Sequence, residues 1–174
     1  MLYLEGFLPF LIIVFSAFFH ETGHFLAIKK SKCLIRRLDI LPKGALIVYS
    51  EENSDYSNDI RISLSGPLFS LALSAFSFCL FLILKEPYSL FACILNIFFG
   101  LFNLVPEKKL DGGRALYAFL MKKYENEKAE RISSALSVVS KIFFICLGTV
   151  LAFLSDFNSG VLTLVCVLLV QILM

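Results

Sequence analysis

Between Leu8 and Ile28 the chain runs for about 21 residues with only five polar side chains, Ser16, His20, Glu21, Thr22 and His24. A helix needs about 20 mostly apolar residues to cross a hydrocarbon core of about 30 Å. Further stretches have the same character. Ile62–Leu84 and Tyr88–Val105 carry no charge, Val138–Leu154 carries Lys141 alone, and Gly160–Met174 is uncharged. The last is only about 15 residues long, short enough to stop before the far side. In lipid every backbone amide must find its partner inside the segment, which favours a bundle of helices. Bulk composition agrees: 58% of residues are hydrophobic and 17% charged, against about 25% charged in soluble domains. The expected fold is an all-α polytopic membrane protein of about five transmembrane helices, forming one domain over residues 1–174.

The polar segments refine this layout. Residues 29–59 separate the first two apolar runs. Within them Leu34–Val48 holds short apolar pieces broken by Arg36-Arg37 and Pro42-Lys43-Gly44, which predicts a small hairpin at the membrane surface. Lys85-Glu86-Pro87 predicts a tight loop. Alternating five spans places residues 29–61 and 122–136 on one side, with eleven Lys and Arg, and leaves Lys85 on the other. By the positive-inside rule the basic side is cytoplasmic, the N-terminus outside and the C-terminus inside. No basic, aromatic-interleaved patch accompanies the net charge of +2, so nucleic-acid binding is not expected. Five cysteines, an odd number with no C-x-x-C pair, read as thiols rather than a disulfide framework. The N-terminus lacks a basic leader region, and its apolar run continues into His20 and Glu21, unlike a cleaved signal peptide.

The chemistry concentrates in His20-Glu21-Thr22-Gly23-His24, which holds the only two histidines of the chain. Residues four apart share a helical face, so both imidazoles can bind one ion. Glu21 points in an adjacent direction, where it can take a proton from a metal-bound water. Zinc is the expected cofactor, because two imidazoles and one carboxylate leave a fourth position open for water. The plainer reading, two polar side chains satisfied by neighbouring helices, is disfavoured by the cost of placing ionisable groups in an apolar span.

A third ligand must then be an acid or a thiolate. Asp111 and Glu107 are the candidates at membrane depth, and Cys146 is a weaker one. Depth favours Asp111. His20 precedes the cytoplasmic marker Lys29 by about 13 Å of helix, and Asp111 precedes Lys122 by about 16 Å. Gly112 and Gly113 remove side-chain bulk beside it; the competing role for Asp111 is a helix N-cap after the Pro106 break. Asn103 could orient a substrate carbonyl or the metal-bound water, or make a helix–helix hydrogen bond. Pro106 lacks an N–H and frees a backbone carbonyl near Phe102. Lys108 and Lys109 read either as lining a wet path or, more simply, as snorkelling side chains. Ser65-Gly66-Pro67 reads as close helix packing with a kink.

Two of these motifs resemble the site-2 protease family of intramembrane metalloproteases. One is His20-Glu21-Thr22-Gly23-His24. The other is the stretch from Asn103 through Pro106, Leu110 and Asp111 to Gly112-Gly113, which fits the family's N-x-x-P-x-x-x-L-D-G-G along its whole length. Ser65-Gly66-Pro67 also resembles the family's small-Gly-Pro motif, although Ser70 stands where relatives often have asparagine. The likeness covers residues 8–121 or so; the segment 138–174 is similar only in being hydrophobic.

The resemblance implies a three-helix catalytic core in residues 8–121 with accessory transmembrane helices in 138–174. It implies zinc on His20, His24 and Asp111, Glu21 as general base, and Asn103 positioning substrate. The stretch near 34–48 would offer a strand edge to an unwound substrate. With no PDZ domain visible, the chain is most similar to the compact sporulation-type group (stage IV sporulation protein FB-like). That group acts on membrane-associated regulators such as tethered transcription factors or sigma-factor precursors in the bacterial cell membrane. The expected partners are a membrane-associated protein substrate and the lipid bilayer, with a homo-oligomer or a regulatory membrane partner left open. The competing class is a metal-binding membrane transporter or non-catalytic membrane protein, which would keep the ligands but have no need of Glu21.

Overall fold

The computed structural model describes the backbone of residues 2–31, 35–41, 44–49, 56–156 and 158–160, with isolated positions 163, 166 and 170. It divides into two compact units, Met1–Leu104 and Val105–Met174.

The first unit holds α1 (Leu2–Lys30), β1 (Ile35–Leu41), β2 (Gly44–Tyr49), α2 (Tyr56–Leu84) and α3 (Pro87–Asn103). The expected hairpin is present: β1 and β2 pair antiparallel, from Leu41 opposite Gly44 to Ile35 opposite Tyr49, with an irregularity between Ile35 and Arg37. Its tip, residues 42–43, lies outside the described residues. The tight loop also forms, only Lys85 and Glu86 separating α2 from α3. Lys85 takes a left-handed backbone, φ 57°, the conformation that ends many helices. Its N–H still bonds to the Phe81 carbonyl at 2.9 Å. Pro87 then opens α3, where its missing N–H costs nothing and its fixed φ suits the first helical position.

The three helices pack against one another with their small and polar residues inward. Ser16, Ser63, Gly66, Ser70, Ser74, Ser77, Asn96 and Gly100 are buried. Phe10, Phe15, Phe18, Leu68, Phe76 and Ile83 are exposed. That is the reverse of a soluble bundle and the arrangement lipid favours. Large apolar side chains gain nothing by leaving the hydrocarbon, whereas small residues let backbones approach and hydroxyls bond across helices. The Asn96 amide donates to Ser16 Oγ at 2.9 Å, and Ser74 Oγ donates to the Cys93 carbonyl at 3.0 Å.

The second unit holds α4 (Asp111–Lys123) and α5 (Asn126–Leu154), which pack together. Among the described residues three helices are long and apolar enough to cross a membrane: Phe7–Lys30 within α1, then α2 and α5. The chain is an integral membrane protein. At 17 residues, α3 is a shorter apolar helix. Helix α5 starts at Asn126, well before the apolar run at Val138, so its first three turns are amphipathic rather than lipid-like. The fifth apolar segment, 160–174, falls largely outside the described residues.

Candidate metal centre

Within the first unit, α1 places His20 and His24 one turn apart and their Nε2 atoms 3.2 Å from each other. Two nitrogens bound to one tetrahedral zinc at about 2.0–2.1 Å would stand about 3.3 Å apart. The two rings also meet edge to face, centroids 5.0 Å apart, so the pair is shaped for a shared ion rather than for stacking.

The opposite ring nitrogens are fixed by α2. His24 Nδ1 lies 2.8 Å from the Ile62 carbonyl oxygen. A carbonyl only accepts, so Nδ1 carries the proton and donates it. In the neutral ring Nε2 then keeps its lone pair. His20 Nδ1 lies 2.9 Å from Ser70 Oγ, in a fully buried contact. Partners of this kind hold a metal-binding histidine in one tautomer and one orientation.

Gly66 on α2 makes room for both rings. A Cβ added there would fall 2.1 Å from His24 Nε2 and 2.7 Å from His20 Nε2. The space next to both lone pairs is therefore kept open by the lack of a side chain. Pro67 follows it inside α2. Having no N–H, it leaves the ladder one bond short in the turn that faces the histidines. The donor set, the nitrogen spacing and this glycine cradle all fit a metal ion. Glu21, next along α1, is half-buried.

Asn103 is the last residue of α3 and donates Nδ2–H to the Phe99 carbonyl of its own helix at 3.0 Å. The structure ends α3 there, three residues before Pro106, instead of running the helix into the proline. The Leu104 N–H turns back to Leu101 and Phe102 carbonyls, so the carbonyl expected to be freed near Phe102 is used as a cap.

In the second unit, Pro106 sits in the turn that leads to α4, with Glu107 N–H bonded to the Val105 carbonyl at 2.8 Å and Leu110 N–H to the Glu107 carbonyl at 2.9 Å. Asp111 is the first residue of α4 and Leu110 its N-cap. Asp111 is thus not the capping residue; it stands in the first turn of α4. Gly112 and Gly113 follow, both buried. A Cβ on Gly113 would lie 1.9 Å from the Glu107 carbonyl oxygen, so the turn can fold onto α4 only over a glycine.

Glu107, the other acid considered as a ligand, is committed elsewhere. Its side chain is 1% exposed; Ser137 Oγ donates to one carboxylate oxygen, and Lys141 Nζ lies 3.4 Å from the other. Lys108, expected to snorkel, instead pairs with Glu130 at 2.5 Å. Cys146 is exposed. Sequence reasoning gave no role to Ser70, the Ile62 carbonyl, Ser137 or Lys141. Lys141 was findable: a lone lysine in an apolar run demands a buried anion.

A membrane-embedded helical core with two imidazoles turned toward one open point defines a class, the membrane proteins built around an intramembrane metal motif. The chain belongs to Peptidase family M50, whose family model matches residues 8–87 and 83–147. It is 30% identical over 134 residues to the zinc metalloprotease MJ0392 of Methanocaldococcus jannaschii, a match that covers 72% of this chain and 38% of that one. The chain thus spans well under half the length of that relative. Among solved structures it is similar to a site-2 protease from Methanocaldococcus jannaschii, with a TM-score of 0.67 and 24% identity, over 95% of this chain and 76% of the other. That likeness shows a shared fold.

Proposed function

We propose that the chain is an intramembrane zinc metallopeptidase that hydrolyses peptide bonds of membrane-associated proteins, with zinc on His20, His24 and Asp111. One observation carries the reading: two Nε2 atoms 3.2 Å apart, both Nδ1 atoms engaged by α2, and a glycine where a side chain would fill the gap. Asp111 is the acid of choice for the third ligand. Glu107 is spent on Ser137 and Lys141, and Asp111 stands within the L-D-G-G end of the family motif.

Zinc in such a site supplies Lewis acidity and a water acidic enough to react near neutral pH. The remaining steps belong to the chain. Glu21 takes the proton of the attacking water and delivers it to the leaving amine nitrogen. Asn103 aligns the substrate carbonyl. A membrane helix has its carbonyls hydrogen-bonded, so the substrate must unwind before it can be cut, and cleavage falls near a helix end or a helix-breaking residue. Among the described residues β1 and β2 pair only with each other, which leaves each strand an outer edge on which an unwound strand can pair. The basic loops orient the chain with the N-terminus outside and the C-terminus in the cytoplasm. Within the family we favour the compact sporulation-type group of the bacterial cell membrane, with a tethered transcription or sigma factor as substrate.

The test is co-expression with candidate membrane-tethered regulators, comparing wild type with Glu21→Gln. The reading predicts loss of cleavage with zinc retained. Cleavage at an unchanged rate for every regulator that wild type cuts would end it, and would favour a metal-binding protein that has no use for Glu21.

A further inference from the structure

Helix α5 is apolar enough to serve only as a membrane anchor, yet one of its faces is polar. Glu130, Ser137 and Lys141 recur at intervals of seven and four, which places them along one stripe of the helix. All three engage the short turn that precedes α4. Glu130 holds Lys108 Nζ at 2.5 Å. Ser137 donates to a Glu107 carboxylate oxygen, and Lys141 approaches the other at 3.4 Å. Ser133 and Ser140 are buried on the same side, and Ala129 is fully buried. A carboxylate as buried as that of Glu107 is tolerated only when paired and hydrogen-bonded, so this contact admits few other arrangements.

The same turn is locked to α4 through its backbone. The Glu107 carbonyl accepts the Leu110 N–H at 2.9 Å, and the Leu110 carbonyl accepts the Arg114 N–H at 3.1 Å. Gly113 lies under the Glu107 carbonyl so closely that a Cβ would reach 1.9 Å from it. Asp111 sits between these two fixed points. Anchoring the Glu107 side chain therefore fixes where α4 begins and how its first residue is presented.

We propose that α5 is the positioning element for Asp111, through a clamp in which Ser137 and Lys141 hold Glu107 and Glu130 holds Lys108. This rests on Asp111 being a zinc ligand. Ser137 and Lys141 are positioning residues: they touch neither substrate nor metal and act by limiting the orientations open to the Asp111 carboxylate. An outer partner of a ligand typically changes metal affinity 10- to 100-fold when removed.

The experiment uses the full chain in detergent, with zinc affinity and the visible spectrum of the cobalt(II)-substituted protein as readouts. Ser137→Ala and Lys141→Met are compared with Lys141→Arg, which keeps the cation, and with Glu127→Gln, which alters an exposed pair elsewhere on α5. Asp111→Asn reports on the ligand itself. The clamp predicts that Ser137→Ala and Lys141→Met weaken zinc binding by about 10- to 100-fold and shift the cobalt bands at unchanged helix content. Lys141→Arg and Glu127→Gln should match wild type. Ser137→Ala replaces one small helix residue by a better helix former, so it remains informative if Lys141→Met does not fold. Wild-type zinc affinity and spectrum in Ser137→Ala, with zinc lost in Asp111→Asn, would overturn the clamp alone. Wild-type affinity in Asp111→Asn would overturn the ligand assignment and the clamp with it.

Discussion

His20 Nδ1 stands 2.9 Å from Ser70 Oγ, in a contact that joins α1 to α2 across 50 residues of sequence and lies wholly inside the first unit. Ser70 is 0% exposed, so the hydroxyl meets the ring away from bulk solvent. A hydroxyl here both satisfies the ring nitrogen and sets the ring plane, leaving Nε2 directed at the gap beside Gly66.

Ser70→Ala removes that partner while leaving a small residue in the seam. Zinc affinity should fall by about 10- to 100-fold, with the helical circular dichroism unchanged. Equilibrium dialysis against a zinc buffer series measures it. An unchanged affinity would mean that His20 is oriented by α1 alone.

Gly66→Ala should be more severe. The added methyl would lie 2.1 Å and 2.7 Å from the two Nε2 atoms, far inside van der Waals contact, so the rings or α2 must shift. We expect zinc to be absent from the purified variant and cleavage to be abolished. Metal analysis by mass spectrometry gives the answer directly; a variant carrying stoichiometric zinc would contradict the cradle.

Glu21→Gln separates binding from catalysis. A general base typically contributes 10²- to 10⁴-fold in rate, so turnover should drop by about that factor while zinc stays bound. Stripping wild type with a chelator should produce the same loss, reversed by adding zinc. Parallel assays of metal content and product formation distinguish the two routes.

Gly113→Ala tests the turn in the second unit. With the Glu107 carbonyl oxygen only 1.9 Å from the new Cβ, the turn must open. A cost on the order of 1–3 kcal/mol is typical of overpacking, and a lowered unfolding midpoint in detergent is the expected sign. Gly160→Ala, where the nearest atom is the Asn158 side chain at 3.3 Å, serves as the mild comparison.

Some of this molecule can be read along the chain without its coordinates. Helix-forming apolar runs are local in composition, and the hairpin is announced by its broken apolar pieces. The His20–His24 pair is visible because helical geometry brings any two residues four apart to one face. The motif that starts at Asn103 and ends at Gly113 is likewise contiguous, and the break at Pro106 is legible because proline lacks an N–H.

What the tertiary structure alone decided is which partner each polar group takes. No spacing rule links His20 to Ser70 or His24 to the carbonyl of Ile62, since helix packing brings them together and a backbone oxygen carries no signature in a list of side chains. Glu107 and Asp111 are equally acidic and four residues apart; depth and the L-D-G-G motif favour Asp111 as the ligand, but neither says what Glu107 does instead. Packing of α5 against the turn commits Glu107 to Ser137 and Lys141. The reason is physical: periodicity determines which residues share a face, but only the packing of one face against another selects their partners.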